Sequence, residues 1–261
     1  MPNAVDLVFA AIVFVAGNLF DCFVIWPYMQ RQVAAGDAGA RPHVYGIIMA
    51  WLWVPTFFVA VRWWMLDRPW SALWFVAPYG WRLVASTLAF LATAALWHSQ
   101  NRSAARLTAE KCAALLQRSA NLIALVPHTK RDYRWFMAVS VTAGICEELL
   151  YRGFLVWELQ PWLGLGLGAM VSIILFGACH AYQGKDVVRP IATGALLQGL
   201  ALLTGSILPG MVVHAMLDAM SATSGYILVR KSVSSAQSAA GSSGEMGWTN
   251  SRRGPSRNRA H

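Results

Sequence analysis

The sequence predicts an all-α fold, a polytopic bundle of about seven transmembrane helices (six to eight). Three observations carry that expectation. Of 261 residues, 57% are hydrophobic and 13% charged, where soluble domains carry roughly 25% charged residues. The apolar residues gather into runs at 5–27, 43–61, 83–98, 135–158, 164–184, 187–204 and 207–229, most of them near the roughly 20 residues that a spanning helix needs. Many of the 13 Trp, among them Trp26, Trp63, Trp64, Trp81, Trp97, Trp135 and Trp157, fall near the ends of those runs, where indole rings favour the headgroup layer.

Taken in order, the first run is introduced by MPNAVD, without basic residues, and no small-residue cleavage site follows. It therefore reads as a span and not as a removable signal peptide. The stretch 71–80 (SALWFVAPYG) is apolar but short and carries Pro78 and Gly80, so it lies in the interface or lengthens the third span. Residues 99–134 hold Arg102, Arg106, Lys111, Arg118, Lys130, Arg131 and Arg134, which places that stretch in the cytoplasm. Later connections then alternate: 159–163 without a basic residue outside, Lys185 and Arg189 inside, 205–208 outside, Arg230 and Lys231 inside. Counting back over seven spans puts the N-terminus outside and the C-terminus in the cytoplasm. Arg62, Arg68 and Arg82, all between the second and third spans, run against this pattern.

Within the cytoplasmic stretch, 103–125 alternates basic and apolar residues at helical spacing. Such a helix lies on the inner leaflet or links two halves of the bundle. From Ser232 onward the chain is rich in Ser, Gly, Ala and Arg with few large apolar side chains, the composition of a disordered tail. The organisation is thus 1–98 N-terminal transmembrane helices, 99–134 amphipathic linker, 135–229 a second transmembrane region, and 230–261 a disordered basic tail. The net charge of +9 resides in loops and tail, so the partner it fits is a lipid bilayer and not nucleic acid. Cys22, Cys112, Cys146 and Cys179 have no paired spacing, which argues against a disulfide framework or a Cys-based metal site. No internal repeat is evident.

Ionisable groups inside spans cost about 2.5–3.5 kcal/mol each for Asp, Lys or Arg at a helix centre, so each needs a reason. The second half has six: Glu147, Glu148 and Arg152 in one span, His180 at the end of the next, and His214 with Asp218 in the last. Glu148 and Arg152 are four residues apart, on one helix face, and can pair. Glu147 is about 100° around the helix and lacks that partner; an unpaired carboxylate in low dielectric is suited to taking a proton from water. The alternative is a single buried ion cluster tying helices together. Phe176 and His180 stand at i, i+4, so an aromatic ring backs the imidazole. His214 and Asp218 have the same spacing, where the carboxylate can hold the ring tautomer or join it in binding a water or metal. Two His and two carboxylates converging in a bundle suffice to activate water and stabilise an oxyanion, with or without a metal. The spacing is not His-Glu-x-x-His.

At this point the residues match a pattern. Glu147-Glu148-x-x-x-Arg152-Gly153, then Phe176-x-x-x-His180, then His214-x-x-x-Asp218 resembles the CPBP family of intramembrane endopeptidases, which includes type II CAAX prenyl proteases and bacteriocin-processing or self-immunity relatives. The likeness covers about 125–222. It implies an active site within the C-terminal four helices, with Glu147 the general base, His180 assisting it, His214 stabilising the oxyanion, and Asp218 where many relatives have Asn or Asp. Glu148, Arg152 and Phe176 would shape the site, the Arg meeting the substrate's carboxylate or backbone. The resemblance further implies an integral multi-pass protein of the bacterial inner (plasma) membrane, and a peptide or protein substrate that is prenylated or otherwise lipidated and cut near its C-terminus. It leaves open a divalent metal such as Zn, held if present by Glu147, His180, His214 and Asp218, or a metal-independent glutamate mechanism. Two other readings fit the same residues: a non-catalytic membrane immunity or binding protein of this fold, and a proton-coupled transporter.

Overall fold

The computed structural model describes residues 2–37, 39–118 and 122–250, and among them there is no β-strand. The principal helices are α1 (Ala4–Ala34), α2 (Ala40–Met65), α3 (Trp81–Arg106), α4 (Ala109–Arg118), α5 (130–163), α6 (165–178), α7 (Val188–Thr204) and α8 (Leu208–Asn250). The α1 helix begins on a capping box, Asn3 accepting from Asp6 N–H while the Asp6 side chain accepts from Asn3 N–H; α5 begins on the same motif built by Thr129 and Asp132. Each box satisfies backbone donors that a helix start would otherwise leave open.

Five described segments are long and apolar enough to cross a membrane, by length and composition: Ala4–Ala34, Ala40–Met65, Lys130–Ala178, Ala181–Thr204 and Leu208–Ser234. The third is two crossings. Gly164 has φ 72° and ψ 167°, a conformation open to glycine and strained for a side chain, and the chain reverses there. Ser172 Oγ consequently donates to Tyr151 O at 2.8 Å, and Phe176 packs on Tyr151 with ring centroids 5.2 Å apart. Contacts across 21 and 25 residues require a hairpin.

The α3 helix is outside those five, yet it lies along α8 for its full length. Arg82 abuts Gly205, Gln100 Nε2 donates to Ser224 Oγ at 3.0 Å, and Lys231 Nζ donates to Leu107 O at 3.0 Å and to Ala105 O. Two helices in parallel register over that span share one depth, so α3 crosses wherever α8 does. Directions elsewhere also alternate as consecutive crossings must: α2 runs parallel to α5, through Tyr45 on Phe136, Trp53 on Thr142 and Trp63 on Phe154. The α8 helix runs antiparallel to α5, through Tyr133 on Thr223 and Glu148 on His214. Seven crossings result among the described residues, and side chains such as Phe23, Val54 and Ile174 project from the outer faces at 64–73% exposure, as lipid-facing side chains do.

Several expectations are revised by packing. The stretch 71–80 neither lengthens α3 nor lies free. It makes a short 3₁₀ turn at Trp70–Leu73, buries Leu73 completely, and accepts Ile207 N–H on Trp74 O at 3.0 Å, so it plugs the end of the bundle remote from the linker. Trp26 and Trp63 are core residues at 5% and 1% exposure, where a headgroup belt was expected; Trp64 and Trp81 are largely exposed and fit the belt. Arg62 and Arg68, which strained the charge pattern, both pair with buried Asp6 at 2.7 and 2.6 Å, and Arg68 lies over the rings of Trp63 and Trp157. The α4 helix breaks from α3 at Leu107–Thr108 and packs against α8. The backbone of α8 is helical to Asn250, with no Pro in the sequence between Pro209 and Pro255 to interrupt it; of the expected tail, residues 251–261 lie outside the described residues.

Candidate active site

Three helices carry the six ionisable residues, and α5 places two of them in different surroundings. Over Glu148–Leu155 its backbone widens to π-helical hydrogen bonding, a distortion frequent at functional sites. Glu148 points into the bundle with no exposed surface. Its Oε1 accepts from Arg152 Nη1 at 2.9 Å and from His214 Nδ1 at 2.8 Å. Arg152, equally buried, donates through Nη2 to Gly194 O at 3.1 Å and lies 4.2 Å over the ring of Phe176. That guanidinium is thus held inside the protein by a carboxylate, a backbone carbonyl and an aromatic face.

A missing side chain on α7 makes this clamp possible. A Cβ at position 194 would fall 2.8 Å from Phe176 Cδ1 and 3.3 Å from Arg152 Nη2. Glycine therefore lets α7 bring its carbonyl to the arginine, and α7, which carries none of the six ionisable residues, supplies a backbone acceptor.

His214 is 4% exposed. Because Glu148 is an acceptor, Nδ1 carries the proton and the tautomer is set by Glu148, not by Asp218 as the i, i+4 spacing suggested. The free nitrogen, Nε2, faces two further carboxylates, Glu147 Oε2 at 3.7 Å and Asp218 Oδ2 at 3.9 Å. Asp218 is the most accessible of the set, at 36% for its side chain.

Glu147 turns away from Glu148 toward α1 and the end of α6. It lines a cavity of about 130 Å³ together with His180, Asp21, Asn18, Cys179 and Tyr182, among others; His214 and Asp218 do not line it. Its Oε2 is buried without a hydrogen-bond partner among the described residues. His180 stands at the far end of α6, where Nδ1 lies 2.9 Å from Phe176 O. A carbonyl only accepts, so Nδ1 donates and Nε2 is the lone-pair nitrogen of the neutral ring. Cys179 Sγ sits 3.0 Å from the same Nδ1. Phe176 is the common backing: its ring centroid is 4.9 Å from that of His180 and 6.0 Å from that of His214.

The arrangement holds two proton acceptors on one cavity, Glu147 and His180, and behind Glu147 a histidine held by a buried ion pair. Among the described residues no three His, Cys, Asp or Glu side chains converge as metal ligands. The donors thus do not fit a zinc centre, which takes at least three protein ligands, and no step below passes through one. Reading the sequence missed Asp21 and Asn18 on α1. Asn18 Nδ2 donates to Leu175 O at 3.1 Å and ties α1 to α6, while π-helical turns at Ile12–Gly17 and Asp21–Ile25 flank it. The signal was available: Asp21 is an ionisable residue inside an apolar run, the criterion that singled out the other six.

Residues 130–220 match the family model described as type II CAAX prenyl endopeptidase Rce1-like. No curated protein and no solved structure matches the chain. The match runs from the start of α5 to just past Asp218, so the segment of this membrane protein that holds Glu147, His180 and His214 is similar to a CAAX protease-like family.

Proposed function

We propose that the protein is an intramembrane endopeptidase that hydrolyses a peptide bond of a membrane-associated, lipid-modified substrate near its C-terminus. The observation that carries this reading is the unpartnered Glu147 Oε2 on the wall of a cavity shared with the lone-pair nitrogen of His180. In this reading Glu147, with His180 beside it, takes a proton from water as the oxygen attacks the carbonyl carbon. The carbonyl electron pair moves onto oxygen, and His214 Nε2–H donates to that oxyanion. With Nδ1–H already given to Glu148, such a donor is the imidazolium form, whose charge Glu148 offsets. Glu147 then returns the proton to the leaving nitrogen as the C–N bond breaks. Asp218, beside His214, holds the ring toward the site. The setting in this reading is a bacterial inner membrane with the N-terminus outside and the C-terminus in the cytoplasm.

The test is hydrolysis of membrane-associated, lipidated peptides by purified protein, with Glu147→Gln, His180→Ala and His214→Ala beside wild type. Cleavage by wild type and loss in the variants is the expected result. Undiminished cleavage by all three overturns the site. A binding or immunity phenotype that survives all three substitutions, with no cleavage, supports a non-catalytic protein of the same fold; flux driven by a pH gradient in proteoliposomes, again without cleavage, supports a transporter.

A further inference from the structure

The cavity beside Glu147 has a second carboxylate that the mechanism does not use. Asp21, on a π-helical turn of α1, lines it opposite α5, only partly buried. The lining is otherwise largely apolar and includes the aromatic rings of Trp26, Trp51 and Tyr182, the Trp26 and Tyr182 rings packed with centroids 4.3 Å apart. No Lys or Arg is among the residues that line it. The only cationic candidate is His180. With that ring neutral and both carboxylates ionised, the lining carries two negative charges; with it protonated, one remains. Either way an anion entering this low-dielectric space is repelled and a cation is drawn in, and aromatic faces add to the attraction for an ammonium or guanidinium group.

We propose that this cavity is a cation-accepting subsite, in which Asp21 with the aromatic rings of the lining takes the ammonium or guanidinium group of a substrate side chain, while the Glu147 carboxylate adds to the negative field and keeps an oxygen for water. Asp21 is then a specificity determinant: a segment carrying Lys or Arg beside the scissile bond is preferred, and an acidic one is rejected. The inference rests on the proposal that Glu147 acts in this cavity. Its volume of about 130 Å³ is close to that of an engineered apolar cavity, about 150 Å³, known to take benzene, so a benzyl-sized cation is a fitting probe.

Purified protein in nanodiscs of zwitterionic lipid is titrated with benzylammonium, neutral benzyl alcohol and the anion benzenesulfonate, and binding is read by calorimetry and by the shift in melting temperature. The expected order is benzylammonium tightest, by about tenfold or more over the alcohol, which is about 1.4 kcal/mol, with benzenesulfonate weakest. Because the chain's net charge is +9, non-specific attraction would favour the anion, so the order cannot arise from overall charge. Asp21→Asn should bring benzylammonium to within about threefold of the alcohol. Equal binding of cation and anion by wild type overturns the subsite without reference to any variant, as does an Asp21→Asn protein that folds and keeps the full preference. The two proposals fail separately. Cation preference without hydrolysis of any peptide overturns the protease reading and leaves the subsite standing, whereas Glu147-dependent hydrolysis without charge preference does the reverse.

Discussion

Two buried polar clusters lie in this bundle, and they use similar residues to different ends. At the end remote from the linker, Asp6 is met by Arg62 and Arg68, and Arg68 is held between two indole rings. Both Asp6 oxygens are taken, and the cluster ties α1 to α2. In the second cluster Arg152, His214 Nδ1, Glu148 Oε1 and the Gly194 carbonyl are committed to one another, but Glu148 Oε2 and Glu147 Oε2 are buried without a hydrogen-bond partner among the described residues; the network ends on a histidine nitrogen that faces Glu147 and Asp218, and Glu147 lines a cavity. A satisfied cluster holds helices together. One that leaves an acceptor open beside a cavity can do chemistry, because that is where a water finds a partner.

From that contrast, Glu147→Gln separates function from fold most sharply. Hydrolysis should fall by about 10²–10⁴-fold, the usual contribution of a general base, while resistance to unfolding in mixed micelles stays at the wild-type value, since no hydrogen bond to Glu147 Oε2 is lost. A large fall in stability would mean that Glu147 belongs with the structural ions after all. Arg152→Met makes the opposite statement, leaving Glu148 buried without its cation at a cost of about 3–5 kcal/mol. The double variant Glu148→Leu with Arg152→Met should recover much of that stability, as paired removal of buried ions often does, and still fail to hydrolyse, because His214 has lost the acceptor that sets its tautomer. Stability and activity restored together would show that Glu148 does not orient His214.

Asp6→Asn probes the other cluster with a smaller effect. Losing charge-assisted bonds to two arginines should lower stability by about 1–3 kcal/mol, and hydrolysis per folded molecule should stay within about twofold, read from initial rates normalised to folded protein. A tenfold loss would show that the two clusters are coupled through α1.

How much of this was legible depends on which physical rule had to act. Span positions and the pairing of Glu148 with Arg152 follow from hydropathy and from i, i+4 spacing, local properties that a sequence displays directly. The divergence of Glu147 from Glu148 follows from the helical angle between neighbours. What fixes His214 is tertiary: Asp218 looked like the tautomer partner because it is four residues away, but Glu148, 66 residues away, offers a fully buried oxygen at hydrogen-bond distance while Asp218 remains accessible. The role of Gly194 was equally hidden, since its contribution is a carbonyl and a missing Cβ, neither of which a motif displays. Trp63 illustrates the limit of the aromatic-belt rule, because an indole near a span end packs inward wherever Arg68 and Phe154 give it partners.

The weakest of these effects lies outside both clusters, where solvent pH reaches. His128, in the loop before α5, accepts from Arg41 Nη2 on its Nε2 at 3.1 Å, and its backbone N–H is taken by Asp132 at 3.1 Å. Burial, and then the neighbouring Arg41 guanidinium, hold its pKa below the ordinary histidine value, because a second proton would desolvate a charge and face Nε2–H against the arginine's own N–H. The unfolded chain, with the ordinary pKa near 6.5, therefore binds more protons than the folded one as pH falls through that value. Stability from this contact is fully present above about pH 6.5 and declines below it until the folded ring also protonates. His128→Gln, which keeps an acceptor for Arg41 and cannot titrate, should flatten the melting temperature between pH 7 and 5 relative to wild type while changing it little at pH 7.5. A wild-type slope that survives the substitution would place the acid-sensitive group elsewhere.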